Sequence, residues 1–157
     1  MRSTLLSGSE FMESQSSQNK ILIVEDDPDI GRIAQMILTK AEYSVRLATD
    51  GREALEIIAL DAPHLVISDV MMPGMDGFEL LACLKNDAAT QAIPVMLMSA
   101  MTEDGDVRRG GISGAEYYLK KPFSAVQMTA AVKGVFATVS AKQRLDSNGD
   151  SMQIATP

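Results

Sequence analysis

The stretch LVISDVMMPGMDGFELL, residues 65–81, decides the fold. It opens with a short apolar run that stops at Asp69. Pro73-Gly74 then marks a turn, and Gly77, Leu80, Leu81 and Leu84 recur at helical spacing. Strand, acidic turn and helix follow one another here, and strands alternate with helices along the rest of the chain.

Upstream, residues 21–24 (ILIV) are apolar at every position, as expected for a strand buried on both faces. Pro28 stands where a first helical residue is favoured. Ile30, Ile33, Ala34 and Ile37 predict a helix over residues 28–40. Residues 44–48 read as a second strand and 52–60 as a second helix. Downstream, Pro94 opens a fourth strand ending at Ser99, a tolerated place for proline. Residues 103–113 predict a fourth helix, weakened by Gly110 and Gly111 at about 1 kcal/mol each relative to alanine. Residues 116–120 predict a fifth strand, and Met128, Ala131, Val132, Val135 and Val139 give a fifth helix one apolar face. Five strands alternating with five helices define an α/β, doubly wound parallel sheet.

At 157 residues the chain holds one domain with tails. Residues 1–19 are expected to form a disordered extension, of which 1–11 read as vector-derived. The domain covers 20–139, and 140–157 are expected to be a flexible polar tail. A net charge of −7 argues against direct nucleic-acid binding, which favours a basic face. The single cysteine excludes an internal disulfide and fits a reducing, cytoplasmic setting. No apolar run approaches the roughly 20 residues that cross a bilayer, so no membrane partner is expected.

In a parallel sheet of this kind the carboxyl ends of the strands open on one crevice, where ligands bind. Four runs deliver Asp26, Asp69, Ser99 and Lys121 there. Glu25, Asp26 and Asp27 follow strand one, and crowding carboxylates raises the cost of ionising them all. A hard dication relieves that repulsion, and magnesium commonly joins one or two carboxylates to a phosphate. Asp69 could then attack phosphorus as a carboxylate nucleophile, with Lys121 neutralising the phosphoryl oxygens. Asp27 is equally suited to capping the helix that starts at Pro28.

The segments ILIVEDDPDI, LVISDVMMPGMDGFELL, MLMSA and GAEYYLKKPF together resemble the receiver domain of bacterial two-component response regulators, over residues 20–139. The resemblance implies a flavodoxin-like sheet of order 2-1-3-4-5, an order also known for a chemotaxis member of this family. It implies Asp69 as phosphoacceptor and Asp26 as a magnesium (Mg2+) ligand, with Glu25 acting through water and Met71 offering its main-chain carbonyl. Lys121 is implied as the phosphate-binding lysine, before a cis bond to Pro122. Ser99 and Tyr118 are implied as the switch pair that moves the surface of helix four, strand five and helix five. Such a protein is not an enzyme on other molecules, although it assists its own phosphorylation and dephosphorylation. Its implied partners are a sensor histidine kinase or phosphotransfer protein, a downstream protein, and a second copy in a phosphorylation-dependent homodimer.

Two other readings stay open: a scaffold that acts without phosphorylation, and a receiver fragment of a longer transcriptional regulator. Apolar Met71 and Met101, two residues after Asp69 and Ser99, replace groups that could orient water, and predict slow loss of the phosphate. His64 is expected in a loop away from the strand ends, and Cys83 as a small packing residue. Arg108-Arg109 reads as a solvated face.

Overall fold

The computed structural model describes residues 18–100 and 114–154, the last six of these by backbone alone. In chain order the elements are β1 (Lys20–Val24), α1 (Pro28–Lys40), β2 (Ser44–Ala48), α2 (Gly51–Leu60), β3 (Leu65–Asp69), α3 (Gly77–Lys85), β4 (Val95–Ser99), β5 (Tyr117–Lys120) and α4 (Ala125–Ile154). The fourth helix expected over residues 103–113, with Gly110 and Gly111, lies outside the described residues, as do Met101 and Arg108-Arg109. Four of the five expected helices lie among the described residues.

The five strands form one parallel sheet in the order β2-β1-β3-β4-β5. Side chains alternate between its faces. Leu22, Val24, Val66 and Leu97 pack on one face with Ala54 and Ile58 of α2 and Leu80, Leu81 and Leu84 of α3. Ile21, Ile23, Leu65, Ile67, Met96 and Met98 pack on the other with Ala34 and Leu38 of α1 and Met128, Val132 and Val135 of α4. Both faces of the central strands are thus dry, which accounts for their unbroken apolar sequence.

Local chemistry sets the helix starts. Asp27 accepts from the Asp29 and Ile30 amides at 2.9 and 3.4 Å, with Pro28 in the first turn. Asp50 and Asp76 cap α2 and α3 in the same way. The β3–α3 loop turns at Gly74, whose φ of +76° favours a residue without Cβ.

The inward face of α1 and the length of the last helix are set by different forces. Helix α1 buries Gly31, Ala34 and Leu38, while Ile33 and Met36 face outward at 54% and 71% exposure. Small side chains at 31 and 34 let the helix lie close to the sheet, which turns the larger isoleucine away. The last helix does not stop near residue 139 but runs to Ile154. Residues 141–148 are all exposed, so tertiary burial does not drive this extension. Ala141, Lys142, Gln143, Arg144 and Leu145 are among the strongest helix formers, and they continue the helix by local propensity.

Candidate functional site at the strand ends

The ladder continues one residue beyond the strands at their carboxyl ends. The amides of Glu25, Val70 and Lys121 donate to the carbonyls of Ala48, Met98 and Ser99 at 3.0, 2.9 and 2.8 Å. These bonds fix the backbone that carries each candidate side chain. Glu25, Asp26 and Asp69 each offer a carboxylate oxygen within 4.8 Å of the others. Glu25 and Asp69 are buried, and Asp26 opens to solvent. Lys121 Nζ reaches Glu25 Oε2 at 2.7 Å and Asp69 Oδ1 at 3.3 Å. The Lys121–Pro122 bond is cis.

Burial pushes the Glu25 carboxyl above the usual range. Its hydrogen bond to Lys121 pulls the other way, and the charge of nearby Asp69 adds to the rise. The Asp27 amide also donates to Glu25, at 3.3 Å. The site therefore holds more negative charge than one lysine satisfies, set in a dry wall and open on the Asp26 side. Three clustered carboxylates are hard oxygen donors of the kind magnesium prefers, so the residues present fit that ion.

Ser99 is fully buried at the end of β4, next to Lys120 in register, while Asp69 pairs with Met98. Met71 follows Asp69 by two residues. Its amide donates to Asp69 Oδ1 at 3.4 Å, and its side chain is 64% exposed. Tyr118 lies on β5 opposite Leu97, half-buried against the α2–α3 face of the core. Asp27 is committed to the helix cap.

His64 sits at the opposite end of β3, where its Nδ1 accepts from the Lys20 amide at 2.8 Å. Cys83 is exposed, so the expected packing role does not hold.

Sequence reasoning passed over one residue that shapes the site. A Cβ on Gly77 would stand 2.4 Å from the Asp69 carbonyl oxygen and 2.9 Å from Val70 Cα. The Gly77 amide donates to the Val70 carbonyl at 2.9 Å. Helix α3 thus starts in direct contact with the backbone that presents Asp69.

An apolar groove of about 350 Å³ flanks the site, lined by Ile30, Ile33, Ala100, Lys121, Pro122 and Phe123. Farther along α1, Met36 and Ile37 line a second groove with Val126, which is 78% exposed.

A doubly wound α/β sheet opens its ligand crevice at the carboxyl ends of its strands, where the acidic cluster and Lys121 lie. The family described as response regulator receiver domain matches residues 21–133, and the chain belongs to that family. It is 37% identical over 122 residues to the protein PilG of Pseudomonas aeruginosa, covering 78% of this chain and 90% of that one. It is 41% identical over 116 residues to the response regulator PleD of Caulobacter vibrioides, covering 74% of this chain but only 26% of PleD. Among solved structures, the chemotaxis protein CheY4 of Vibrio cholerae superimposes with a TM-score of 0.73 at 30% identity, covering 76% of this chain and 99% of that one. Among the described residues, no helix is long and apolar enough to cross a membrane.

Proposed function

We propose that this receiver is a phosphorylation-dependent switch with Asp69 as its phosphoacceptor. An Asp69 oxygen forms a bond to phosphorus as the nitrogen–phosphorus bond of a donor phosphohistidine breaks. Lys121 balances charge on the transferred group, where such reactions need it. Glu25, Asp26, Asp69 and the Met71 carbonyl would hold magnesium, which supplies further positive charge at the phosphoryl oxygens when bound. Ser99 and Tyr118 then respond, shifting the population between two packings of the β5–α4 surface. The donor is a histidine kinase or phosphotransfer protein acting in the cytoplasm, and the receiver's output is a changed affinity for a protein partner. The observation that carries this reading is the ammonium of Lys121 bridging two buried carboxylates inside a three-carboxylate cluster.

The test is intact-mass analysis after incubation with acetyl phosphate, with and without magnesium. One phosphoryl group should be gained with magnesium and lost in Asp69→Ala. Equal modification of that variant would remove Asp69 from the role. No gain under any condition would favour the scaffold reading.

The apolar groove beside Lys121 suits a helical donor surface, because it adjoins the acceptor and exposes Ile33. Ile33→Glu should slow transfer from a phosphorylated histidine phosphotransfer protein by about tenfold or more, the scale of a truncated interface anchor. Phosphorylation by acetyl phosphate should not change. Equal loss with both donors would point to a damaged fold instead of a docking surface.

A further inference from the structure

Met71 is tied to the acceptor through its backbone, and the proposed chemistry leaves its side chain idle. Its thioether is largely exposed, while its own amide holds Asp69 Oδ1. The other described methionines with side-chain burial recorded differ sharply. Met72, Met96, Met98 and Met128 are buried, Met75 is half-buried, and only Met36 is comparably open. Met36 lies on α1, outside the acidic cluster. Exposure governs which thioethers an oxidant reaches, and the product, methionine sulfoxide, is polar where the parent is apolar.

We infer that Met71 is a peroxide-sensitive modification site whose sulfoxide shortens the life of the phosphate on Asp69. The inference rests on the acceptor assignment made above. A sulfur lone pair forms a bond to one peroxide oxygen as the oxygen–oxygen bond breaks. The departing hydroxide takes the proton left on the transferred oxygen and becomes water. The thioether is oxidised by two electrons, and the peroxide is reduced. The new S=O group accepts hydrogen bonds, so it can hold a water beside the acyl phosphate where a thioether repels one. Enzymatic reduction of the sulfoxide reverses the change.

The experiment treats the full chain with limiting hydrogen peroxide, maps sulfoxides by peptide mass spectrometry, then follows phosphate loss from Asp69 after acetyl phosphate is removed. Wild type, Met71→Leu and Met36→Leu are each compared with their own unoxidised form. Met71 and Met36 should oxidise ahead of Met72, Met96, Met98 and Met128. Oxidation should speed phosphate loss by about tenfold in wild type and Met36→Leu, equal to a 1.36 kcal/mol lower barrier. It should have no effect in Met71→Leu, and a methionine sulfoxide reductase should restore the slow rate. An unchanged rate with Met71 oxidised overturns the inference, as does an effect that survives in Met71→Leu. Absence of phosphate on Asp69 before any oxidation is a different result and overturns the acceptor assignment itself.

Discussion

Lys121→Met is expected to slow phosphorylation by acetyl phosphate by about a hundredfold, the scale of removing one preorganised charge-stabilising group. The Nζ atom touches both Glu25 and Asp69, so one substitution strips the cation from two buried carboxylates. The fold should survive, because the Lys121 backbone bond to Ser99 does not depend on the side chain. Stability should nevertheless fall by about 1–3 kcal/mol at neutral pH, the range for a buried polar group deprived of its partner.

The pH dependence separates this loss from a packing defect. The Glu25 carboxyl already lies above the 4.5 of an ordinary glutamate, chiefly through burial, with Lys121 opposing the rise. Folding therefore favours its protonated form, and the penalty for charging it grows as pH rises through and above 4.5. Removing Lys121 raises the folded value further. The variant's deficit should be smallest below the unfolded carboxyl value and should widen as pH climbs past it. Urea denaturation at a series of pH values reads this directly. A deficit constant across the series would refute the electrostatic account, and phosphorylation at the wild-type rate would remove Lys121 from the chemistry.

How far the sequence could be read depended on whether a feature was local. The strands were legible because central parallel strands must be apolar on both faces, and ILIV or LVIS cannot be mistaken for an amphipathic edge. Their shared direction then placed Glu25, Asp26, Asp69 and Lys121 at one end of the sheet without any knowledge of distances. Asp27 could not be decided from sequence, since a capping aspartate and a metal-binding one look alike, and only the amide contacts assign it to the cap. The helix α1 was legible but its inward stripe was not, because two stripes fit the helical period. Isoleucines mark one of them, while Gly31, Ala34 and Leu38 form the one that the sheet leaves room for. The length of α4 was missed for the opposite reason: a polar composition was taken for a tail, yet helix propensity needs no buried face. Cys83 likewise gave no signal of its exposure, because a nine-residue helix can turn either way around its leucines.

Gly77 was illegible because its requirement is set by a segment that folds against it, and its substitution should have the largest effect on stability. The atoms that an added Cβ would meet, the Asp69 carbonyl oxygen and Val70 Cα, are backbone and cannot swing aside. Either α3 must shift, breaking the Gly77 amide bond to Val70, or the end of β3 must move with Asp69 on it. Gly77→Ala should therefore cost about 3 kcal/mol, the upper part of the usual overpacking range, and should lower magnesium-dependent phosphorylation as well. Two other glycines serve as controls because their surroundings differ. A Cβ on Gly51 would press on the Met75 side chain, 2.7 Å from its sulfur, and a flexible thioether can yield. A Cβ on Gly134 meets nothing within 4 Å in the body of α4, so Gly134→Ala should stabilise by about 1 kcal/mol through helix propensity alone. Denaturation midpoints should rank Gly134→Ala above wild type and Gly77→Ala far below Gly51→Ala. If Gly77→Ala proves as stable as Gly51→Ala, the close approach of α3 to the acceptor backbone is not what holds Asp69 in place.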